Sequence, residues 1–234
     1  MDDGLWSVIR SRGFAGMAVG KRQRQQAARM GVLLRVERDL WRAGVTKVAG
    51  VDEVGVGPLA GPVVAAAVII PEGMRLRGVD DSKRLSPALR EVLAAEIAAR
   101  ALGIGIGVVE VADIDRLNIY RAALEAMRRA VMALPMTPDH LVVDARRIPD
   151  LDVPQTSLIH GDARSFSIAA ASIVAKVTRD RMMRTLDDVY PHYGFRENMG
   201  YGTPQHLAAI GRHGPSPVHR RSFAPVRELR LPGI

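Results

Sequence analysis

Apolar runs and amphipathic stretches alternate along residues 45–190, and this alternation predicts strands and helices in turn. A strand is predicted at Val45–Val51, and the unbroken apolar run Val63–Ile70 predicts a second, buried strand. A glycine-threaded apolar run at Gly103–Val111 predicts a third strand, and His140–Val143 predicts a short fourth strand that ends just before Asp144.

Apolar residues at helical spacing predict four longer helices between and around these strands. Their ranges are Ala27–Trp41, Leu85–Leu102, Asp113–Leu134 and Ser165 to about Val189. Ser86 is a suitable N-cap for the second of these helices, and Pro87 suits its first position. From Pro191 onward the chain is rich in Gly, Pro, His and Arg, which predicts short helical pieces at most.

Strands come first, helices and strands then alternate, and the chain ends in a helical part. This order predicts an α/β fold in which helices flank a mixed sheet and a small helical region follows at the C-terminus. We divide the chain into a basic, poorly ordered extension at 1–26, an α/β domain at 27–190 and a helical and loop region at 191–234.

Composition narrows the possible functions. The chain contains no cysteine, which excludes disulfides, thiolate metal sites and cysteine nucleophiles, and we expect a reducing, cytoplasmic setting. No apolar run approaches the ~20 residues that span a bilayer, and the N-terminus does not resemble a secretory signal. A net charge of +8 favours a polyanionic partner, although Arg-rich proteins are often basic without binding nucleic acid.

Acidic residues follow two of the predicted strands. Asp52 and Glu53 come where the first strand is predicted to end at Val51, and Asp144 follows the strand of residues 140–143. Adjacent residues of a regular strand face opposite ways, so a bend at the strand end would be needed to direct both Asp52 and Glu53 into one cavity. The alternative is a pair of solvated charges at a turn, but ligands commonly bind at strand ends in α/β sheets.

A further carboxylate has two candidates on or beside the last long helix. Asp162 lies just before the helix, whereas Asp180 lies about 22 Å further along it at ~1.5 Å per residue. Both cannot serve one compact site. Small residues at 169–171 allow the start of the helix to approach the sheet closely, so we choose Asp162. Asp180, between Arg179 and Arg181, is expected to be an exposed helix residue.

Aspartate and glutamate oxygens without cysteine form a hard ligand set. Such a set suits Mg²⁺ or Mn²⁺ and not zinc. Two such ions about 3.5–4 Å apart can activate water and stabilise the leaving oxygen of a phosphodiester. They would also reverse the sign of an acidic site that otherwise repels nucleic acid.

Motifs along residues 30–225 resemble, in order, those of the bacterial ribonuclease HII family. They are AGVDEVGVGPLAGPVV at 49–64, DDSK at 80–83, NI at 118–119, VD at 143–144, GDARS at 161–165, IAAASIVAKVTRDR at 168–181, GYGT at 200–203 and HRRSF at 219–223. The resemblance implies a ribonuclease H-like core and cleavage of the RNA strand in RNA–DNA hybrids, including single ribonucleotides within duplex DNA. It implies 3′-hydroxyl and 5′-phosphate ends and a cofactor of Mg²⁺ or Mn²⁺, with two ions when substrate is bound. We expect a monomer, although the sequence does not fix the oligomeric state.

The resemblance assigns roles to particular residues. It implies four metal ligands and five substrate contacts. The ligands are Asp52, Glu53, Asp144 and Asp162; the substrate contacts are Gly55, Val56, Gly57, Lys83 and Tyr201. Lys83 would contact a phosphate and Tyr201 would stack on the substrate strand, although a flanking charge and a packing residue are the alternatives.

The chain also departs from the family pattern. Val56 stands where the family's loop usually has an arginine between two glycines, so a charge-assisted phosphate contact is lost while the loop amides remain. We expect reduced affinity or weaker junction preference as a result. His160 replaces a usual lysine and is expected to be a surface neighbour, and Ala145-Arg146 stands where Gly-Asn is common.

Two rival functions, dinucleotide binding and non-catalytic binding of hybrids, fit the sequence less well. Dinucleotide binding needs a helix directly after the pair Gly55 and Gly57, but the pattern predicts a strand at that place. A non-catalytic hybrid-binding protein would gain nothing from concentrated negative charge. The C-terminal arginines could hold a duplex backbone or form a solvated tail; they are Arg212, Arg220, Arg221 and Arg227.

Overall fold

A five-stranded mixed sheet forms the centre of the protein in the computed structural model, which describes residues 27–228. The predicted extension at 1–26 lies outside the described residues. The strands are β1 Val48–Val54, β2 Val63–Ile69, β3 Gly103–Val109, β4 His140–Asp144 and β5 Gln155–Leu158. Their order is β3-β2-β1-β4-β5; the β1–β2 and β2–β3 pairs are antiparallel, and the β1–β4 and β4–β5 pairs are parallel.

Helices cover both faces of this sheet. In chain order the helices of the described residues are α1 Arg35–Arg42, α2 Pro87–Arg100, α3 Val111–Leu117, α4 Ile119–Met132, α5 Phe166–Val189, α6 Phe195–Asn198, α7 Pro204–His213 and α8 Ala224–Glu228. Residues 27–33 are also helical, and short 3-10 turns lie at Ser82–Arg84, Gly161–Ala163 and Pro191–Tyr193. None of the helices in this part of the chain is both long enough and apolar enough to cross a membrane.

Two apolar layers hold the helices against the sheet. Alternate residues of β2 pack on α2 and α5 on one face, and the intervening residues pack on α4 on the other face. Gly50 in β1 permits a close approach of α5, because a Cβ there would overlap the Ser167 backbone at the start of that helix. The α6–α8 region packs on Leu59 and Ala60 and on the later part of α5 through a third apolar cluster.

The predicted fold class is confirmed, with corrections to particular elements. The predicted caps are also present, since Ser86 accepts a hydrogen bond from Leu89 N at 3.3 Å. The single helix predicted over 113–134 is wrong: Asn118, at φ 72°, separates α3 from α4 and caps α4 by accepting from Arg121 N. Strand β5 was not predicted, because Gln155–Leu158 is a polar edge strand without an apolar pattern.

Candidate active site

Asp52 and Glu53 lie within β1, which ends at Val54 and not at Val51. The predicted boundary is wrong because β2 continues to pair with β1 as far as Val54. The pairing of β1 with β4, on the opposite edge, ends at Val51 and Val143. Asp52 and Glu53 therefore lie where β1 keeps one neighbouring strand and has lost the other, so one edge of β1 is open beside both carboxylates.

These two carboxylates face different sides of the strand, as neighbours in regular pairing do. Asp52 is 6% exposed, and the hydroxyl of Ser172 in α5 acts to lower its pKa, against the effect of burial. Glu53 faces Arg146, with 3.8 Å between its Oε1 and Nη1 of the arginine. Both residues remain in register with β2, so the bend expected at the strand end is absent here.

Asp144 is the last residue of β4, beside the open edge of β1. Its Oδ1 accepts a hydrogen bond of 2.6 Å from the backbone N–H of Gly161. A Cβ at Gly161 would lie 3.1 Å from the same oxygen, so this position has little room for a side chain. The contact joins the end of β4 to the turn that carries Asp162.

Asp162 lies in that turn, directly before the N-terminus of α5. The N-terminal helices hold the turn from outside: Arg29 donates to the Ala163 carbonyl at 2.7 Å. Glu37 of α1 is fully buried and accepts hydrogen bonds from both the hydroxyl and the amide of Ser167. The helical start of the described chain thus fixes the position of the loop that presents Asp162.

Asp180 has neither the role in the site that we rejected nor the exposed position on the helix that we expected. It is 4% exposed, so the expectation of an exposed helix residue is wrong. Its carboxylate pairs with Lys176 at 2.5 Å and with Arg90 of α2 at 3.5 Å. Asp180 therefore joins α2 to α5.

Electrostatic coupling connects the four candidate ligands. Burial raises the pKa of Asp52 well above its ordinary value, and repulsion from Glu53 and Asp144 adds to this. Burial also raises the pKa of Glu53, against the opposing charge of Arg146 and together with repulsion from Asp144. The pKa of Asp162 is raised by burial and by the charges of Asp81 and Asp144.

The group therefore concentrates more negative charge than its protein neighbours offset. All its donors are carboxylate oxygens, the type that Mg²⁺ and Mn²⁺ prefer, so the chemistry of the set fits a hard divalent cation. Within residues 27–228, no three acidic or histidine side chains already stand at the geometry of a finished metal cage. The fit rests on donor type and uncompensated charge, and not on a preformed coordination sphere.

The glycine loop, residues 55–57, follows β1 and is held by Arg220, which is fully buried. Its guanidinium donates to the carbonyls of Gly55 at 2.6 Å, Val56 at 3.1 Å and Gly61 at 2.8 Å. Arg220 is therefore neither a duplex-backbone contact nor part of a solvated tail, whereas its neighbour Arg221 is exposed.

A second fully buried arginine, Arg179 of α5, supports the same loop region. It donates to the carbonyls of Ala60 at 3.1 Å, Pro62 at 2.9 Å and Met199 at 2.9 Å. Burial lowers the pKa of Arg179 to about 10 and that of Arg220 to about 9, values that leave both side chains charged at neutral pH. Their sequence context, in basic stretches, gave no sign of burial.

These contacts orient the peptide groups of the glycine loop. In a trans peptide the N–H points opposite to the C=O, so carbonyls of Gly55 and Val56 that face Arg220 direct the amides of Val56 and Gly57 the other way. Within the described residues, neither amide donates a hydrogen bond to the protein. The Val56 side chain is half-buried and packs on the apolar cluster beneath α4.

Lys83 and Tyr201 border the two halves of this region. Lys83 is exposed on a 3-10 turn, and its charge lowers the pKa of both Glu53 and Asp162. Tyr201 is 46% exposed, and its Cε1 would lie 3.6 Å from a Cβ placed on Gly57. Lys83 thus borders the carboxylates and Tyr201 borders the glycine loop.

A mixed five-stranded sheet with helices on both faces, and with carboxylates at the open edge of its central strand, is the arrangement of the ribonuclease H-like fold class. The sequence model of the family described as Ribonuclease HII matches residues 49–226. The chain belongs to the ribonuclease HII family, as its motifs indicated. Members of this family are endonucleases that hydrolyse the RNA of RNA–DNA hybrids, and the chain is an enzyme of this class.

Individual relatives agree with this assignment. The chain is 54% identical to the ribonuclease HII of Geobacillus kaustophilus, over 97% of its own length and 90% of the relative's. It is 58% identical to that of Geobacillus thermodenitrificans, over 90% and 82% of the two chains. Its fold is similar to the crystal structure of the ribonuclease H2 from Pyrococcus horikoshii, with a TM-score of 0.68 and 30% identity over 78% of this chain and 96% of that one.

Proposed function

We propose that the protein cleaves the RNA strand of RNA–DNA hybrids, and single ribonucleotides within duplex DNA, by hydrolysis that depends on Mg²⁺ or Mn²⁺. The products would carry 3′-hydroxyl and 5′-phosphate ends. The observation that carries the proposal is the group of four electrostatically coupled carboxylates at the open edge of β1, of which Asp52 is buried and the other three are half-buried. A basic chain with a net charge of +8 suits a polyanionic duplex as the partner.

Asp52, Glu53, Asp144 and Asp162 would hold the divalent ions. When bound, two such ions supply an activated water and charge stabilisation for the leaving oxygen. The protein's own contribution is to fix the carboxylates in position: Asp144 through Gly161, and Asp162 through the turn that Arg29 grips. Burial of the ligands raises the free energy of the uncompensated carboxylates, which favours binding of a cation.

Substrate selection would fall to the groups beside the carboxylates. The amides of Val56 and Gly57, directed outward by Arg220, can donate to a ribose hydroxyl or a phosphate oxygen. Tyr201, exposed beside Gly57, can stack on a sugar or base of the strand. Lys83 can contact a phosphate near Glu53 and Asp162.

Incubation with duplex DNA that holds one ribonucleotide tests this function. We expect nicking on the 5′ side of the ribonucleotide with Mg²⁺ or Mn²⁺ and none in EDTA, whereas the same duplex without the ribonucleotide should stay intact. End analysis of the products should find a 3′-hydroxyl and a 5′-phosphate. The absence of cutting with either metal would refute the proposal.

A further inference from the structure

Arg146 is placed at the carboxylates by the turn that follows β4. Ala145 has the left-handed φ of 55°, and Arg146 N donates to the Asp144 carbonyl at 2.6 Å. Positive φ is uncommon for residues other than glycine, so this turn is an unusual conformation held at the site. The Arg146 side chain turns back towards the carboxylates, where its Nη1 lies 3.8 Å from Oε1 of Glu53.

Tyr120 of α4 holds the guanidinium from the other side. The Arg146 Cζ lies 5.0 Å from the centre of the Tyr120 ring, which is a cation–π distance. Tyr120 itself is 56% exposed, so its ring borders solvent at the mouth of the site. The arginine is therefore ordered between an aromatic ring and a candidate metal ligand.

The contact with Glu53 leaves this arginine incompletely satisfied. Paired guanidinium and carboxylate groups normally close to about 2.7–2.9 Å, well below the observed 3.8 Å. Nη1 of Arg146 is buried, and among the described residues it has no hydrogen-bond partner. Buried donors without acceptors are rare and costly, so an acceptor at this point would have a large effect.

A substrate phosphate is the acceptor that suits the location. Once cations neutralise the carboxylates, Arg146 would face positive charge and would need an anionic oxygen beside it. We propose that Arg146, supported by Tyr120, donates a charge-assisted hydrogen bond from Nη1 to a non-bridging phosphate oxygen of the substrate strand at the carboxylate site. This inference rests on the proposed function, since it assumes a nucleic acid strand at the carboxylates.

Arg146→Gln tests the contact, with Arg147→Gln as the matched control because Arg147 is the exposed neighbour of equal charge. With saturating metal and a duplex that holds one ribonucleotide, we expect Arg146→Gln to lower kcat/KM about ten- to a hundredfold. The slope of log kcat/KM against log salt should become shallower by about one unit, as loss of a phosphate contact requires. Arg147→Gln should change kcat/KM by less than about threefold.

Tyr120 variants separate support of the arginine from the contact itself. Tyr120→Leu removes the ring and should lose part of the activity that Arg146→Gln loses. Tyr120→Phe keeps the ring face and should recover most of it. Thermal denaturation of each variant checks that the fold is retained.

The rival role, a simple counter-charge for Glu53, predicts a different result. It predicts tighter Mn²⁺ binding by Arg146→Gln in calorimetry without nucleic acid, with unchanged kcat/KM and salt slope at saturating metal. That result, or equal losses from the Arg146 and Arg147 variants, would overturn the proposal. If the unmodified protein cuts no ribonucleotide-containing duplex, the proposed function fails; if it cuts and Arg146→Gln behaves identically, this inference alone fails.

Discussion

The buried and half-buried carboxylates at the open edge of β1 and the fully buried arginines beneath the glycine loop are two groups of opposite charge, and the protein satisfies them differently. Each guanidinium of Arg179 and Arg220 donates to three or more backbone carbonyls. The carboxylates repel one another, and the nearest guanidinium, that of Arg146, stays beyond hydrogen-bond distance from Glu53.

This difference separates a group of charges that holds the backbone from a group that we propose to bind cations. Buried charges that the protein satisfies by itself hold the backbone in place, and their removal should damage the fold. Buried charges that remain uncompensated lower the stability of the unliganded protein, and their removal should damage function and leave the fold intact. Substitution of the arginines should therefore lower stability, whereas substitution of the carboxylates should lower activity and leave the fold intact.

Asp144→Asn should produce the largest loss of activity. The amide keeps an oxygen that can accept from Gly161 N, but it removes a charged ligand between Asp52 and Asp162. We expect at least a thousandfold loss of kcat, equivalent to about 4 kcal/mol in the barrier. Thermal denaturation in EDTA should show an unchanged or raised Tm, because repulsion among the carboxylates is relieved.

Asp152→Asn is the matched control for this loss, since Asp152 is exposed in the loop before β5. It should retain activity and show no change of Tm in EDTA. Turnover by Asp144→Asn close to that of the unmodified protein would remove Asp144 from the proposed ligand set.

Arg220→Met should have the largest effect on stability. The carbonyls of Gly55, Val56 and Gly61 would lose their buried donor, and each unsatisfied acceptor costs about 1–3 kcal/mol. Allowing for the arginine no longer being buried, we expect a loss of roughly 3 kcal/mol and a Tm lower by roughly 10 °C.

Arg221→Met removes an equal charge from the exposed neighbouring position. Its Tm should stay within about 1 °C of the unmodified protein, a small effect typical of surface substitutions. Equal shifts for the two variants would mean that the hydrogen bonds of Arg220 contribute nothing beyond its charge.

How much of the fold could be predicted from the sequence depended on whether a feature is set by local residues or by contacts with distant ones. Local patterns were sufficient for β2, for the Ser86 cap of α2 and for the start of α5 after Ser165. The end of β1 could not be predicted, because pairing with β2 carries the strand through two acidic residues. The break between α3 and α4 at Asn118 could not be predicted either, because one residue with positive φ interrupts an otherwise continuous helical pattern.

The candidate site shows the same division. Four carboxylates could be nominated from strand ends, helix geometry and family motifs, and their roles remain predictions. The burial of Arg220 could not be predicted, since its acceptors are carbonyls about 160 residues away in the chain, a contact that leaves no pattern in the sequence. Asp180 was misjudged for the same reason: its partner Arg90 lies on another helix.

A buried pair of histidines lies near the arginines beneath the glycine loop, and it should make the free energy of unfolding depend on pH. Ser216 N donates a hydrogen bond to Nδ1 of His219. The Nε2 atoms of His219 and His206 lie 3.0 Å apart and form a hydrogen bond, and Nδ1 of His206 forms another with the Tyr201 carbonyl at 2.8 Å. One arrangement of neutral rings satisfies every bond: His219 carries its proton on Nε2, and His206 carries its proton on Nδ1. Burial lowers the pKa of His219 to about 4 and also lowers that of His206.

The contribution of the histidine pair to stability should therefore fall as the pH falls, whereas the raised pKa values of the carboxylates act in the opposite direction. With a folded pKa of about 4 for His219 and an ordinary value of 6.5, this contribution is complete above about pH 6.5 and is lost as the pH falls towards 4. Unfolding would take up at most about one extra proton per histidine, or about 1.4 kcal/mol per pH unit. Denaturant unfolding between pH 7.5 and 4.5 should show a smaller pH slope for His219→Gln than for the exposed-residue control His160→Gln; equal slopes would exclude the histidine pair as the cause.

The smallest expected effect is that of Val56→Arg, which tests whether the glycine loop and Arg146 contact the same part of the substrate. Val56→Arg restores a guanidinium in the glycine loop, but Val56 packs on the apolar cluster beneath α4, so the gain in kcat/KM should be at most about tenfold. If Arg146 already contacts a nearby phosphate, the same substitution should gain more in an Arg146→Gln background, and a double-mutant cycle on the ribonucleotide-containing duplex measures this difference. Equal gains in both backgrounds would show that the two positions act on separate phosphates, and no gain in either would make the side chain at position 56 irrelevant. The loop would then select its substrate through the amides that Arg220 directs outward.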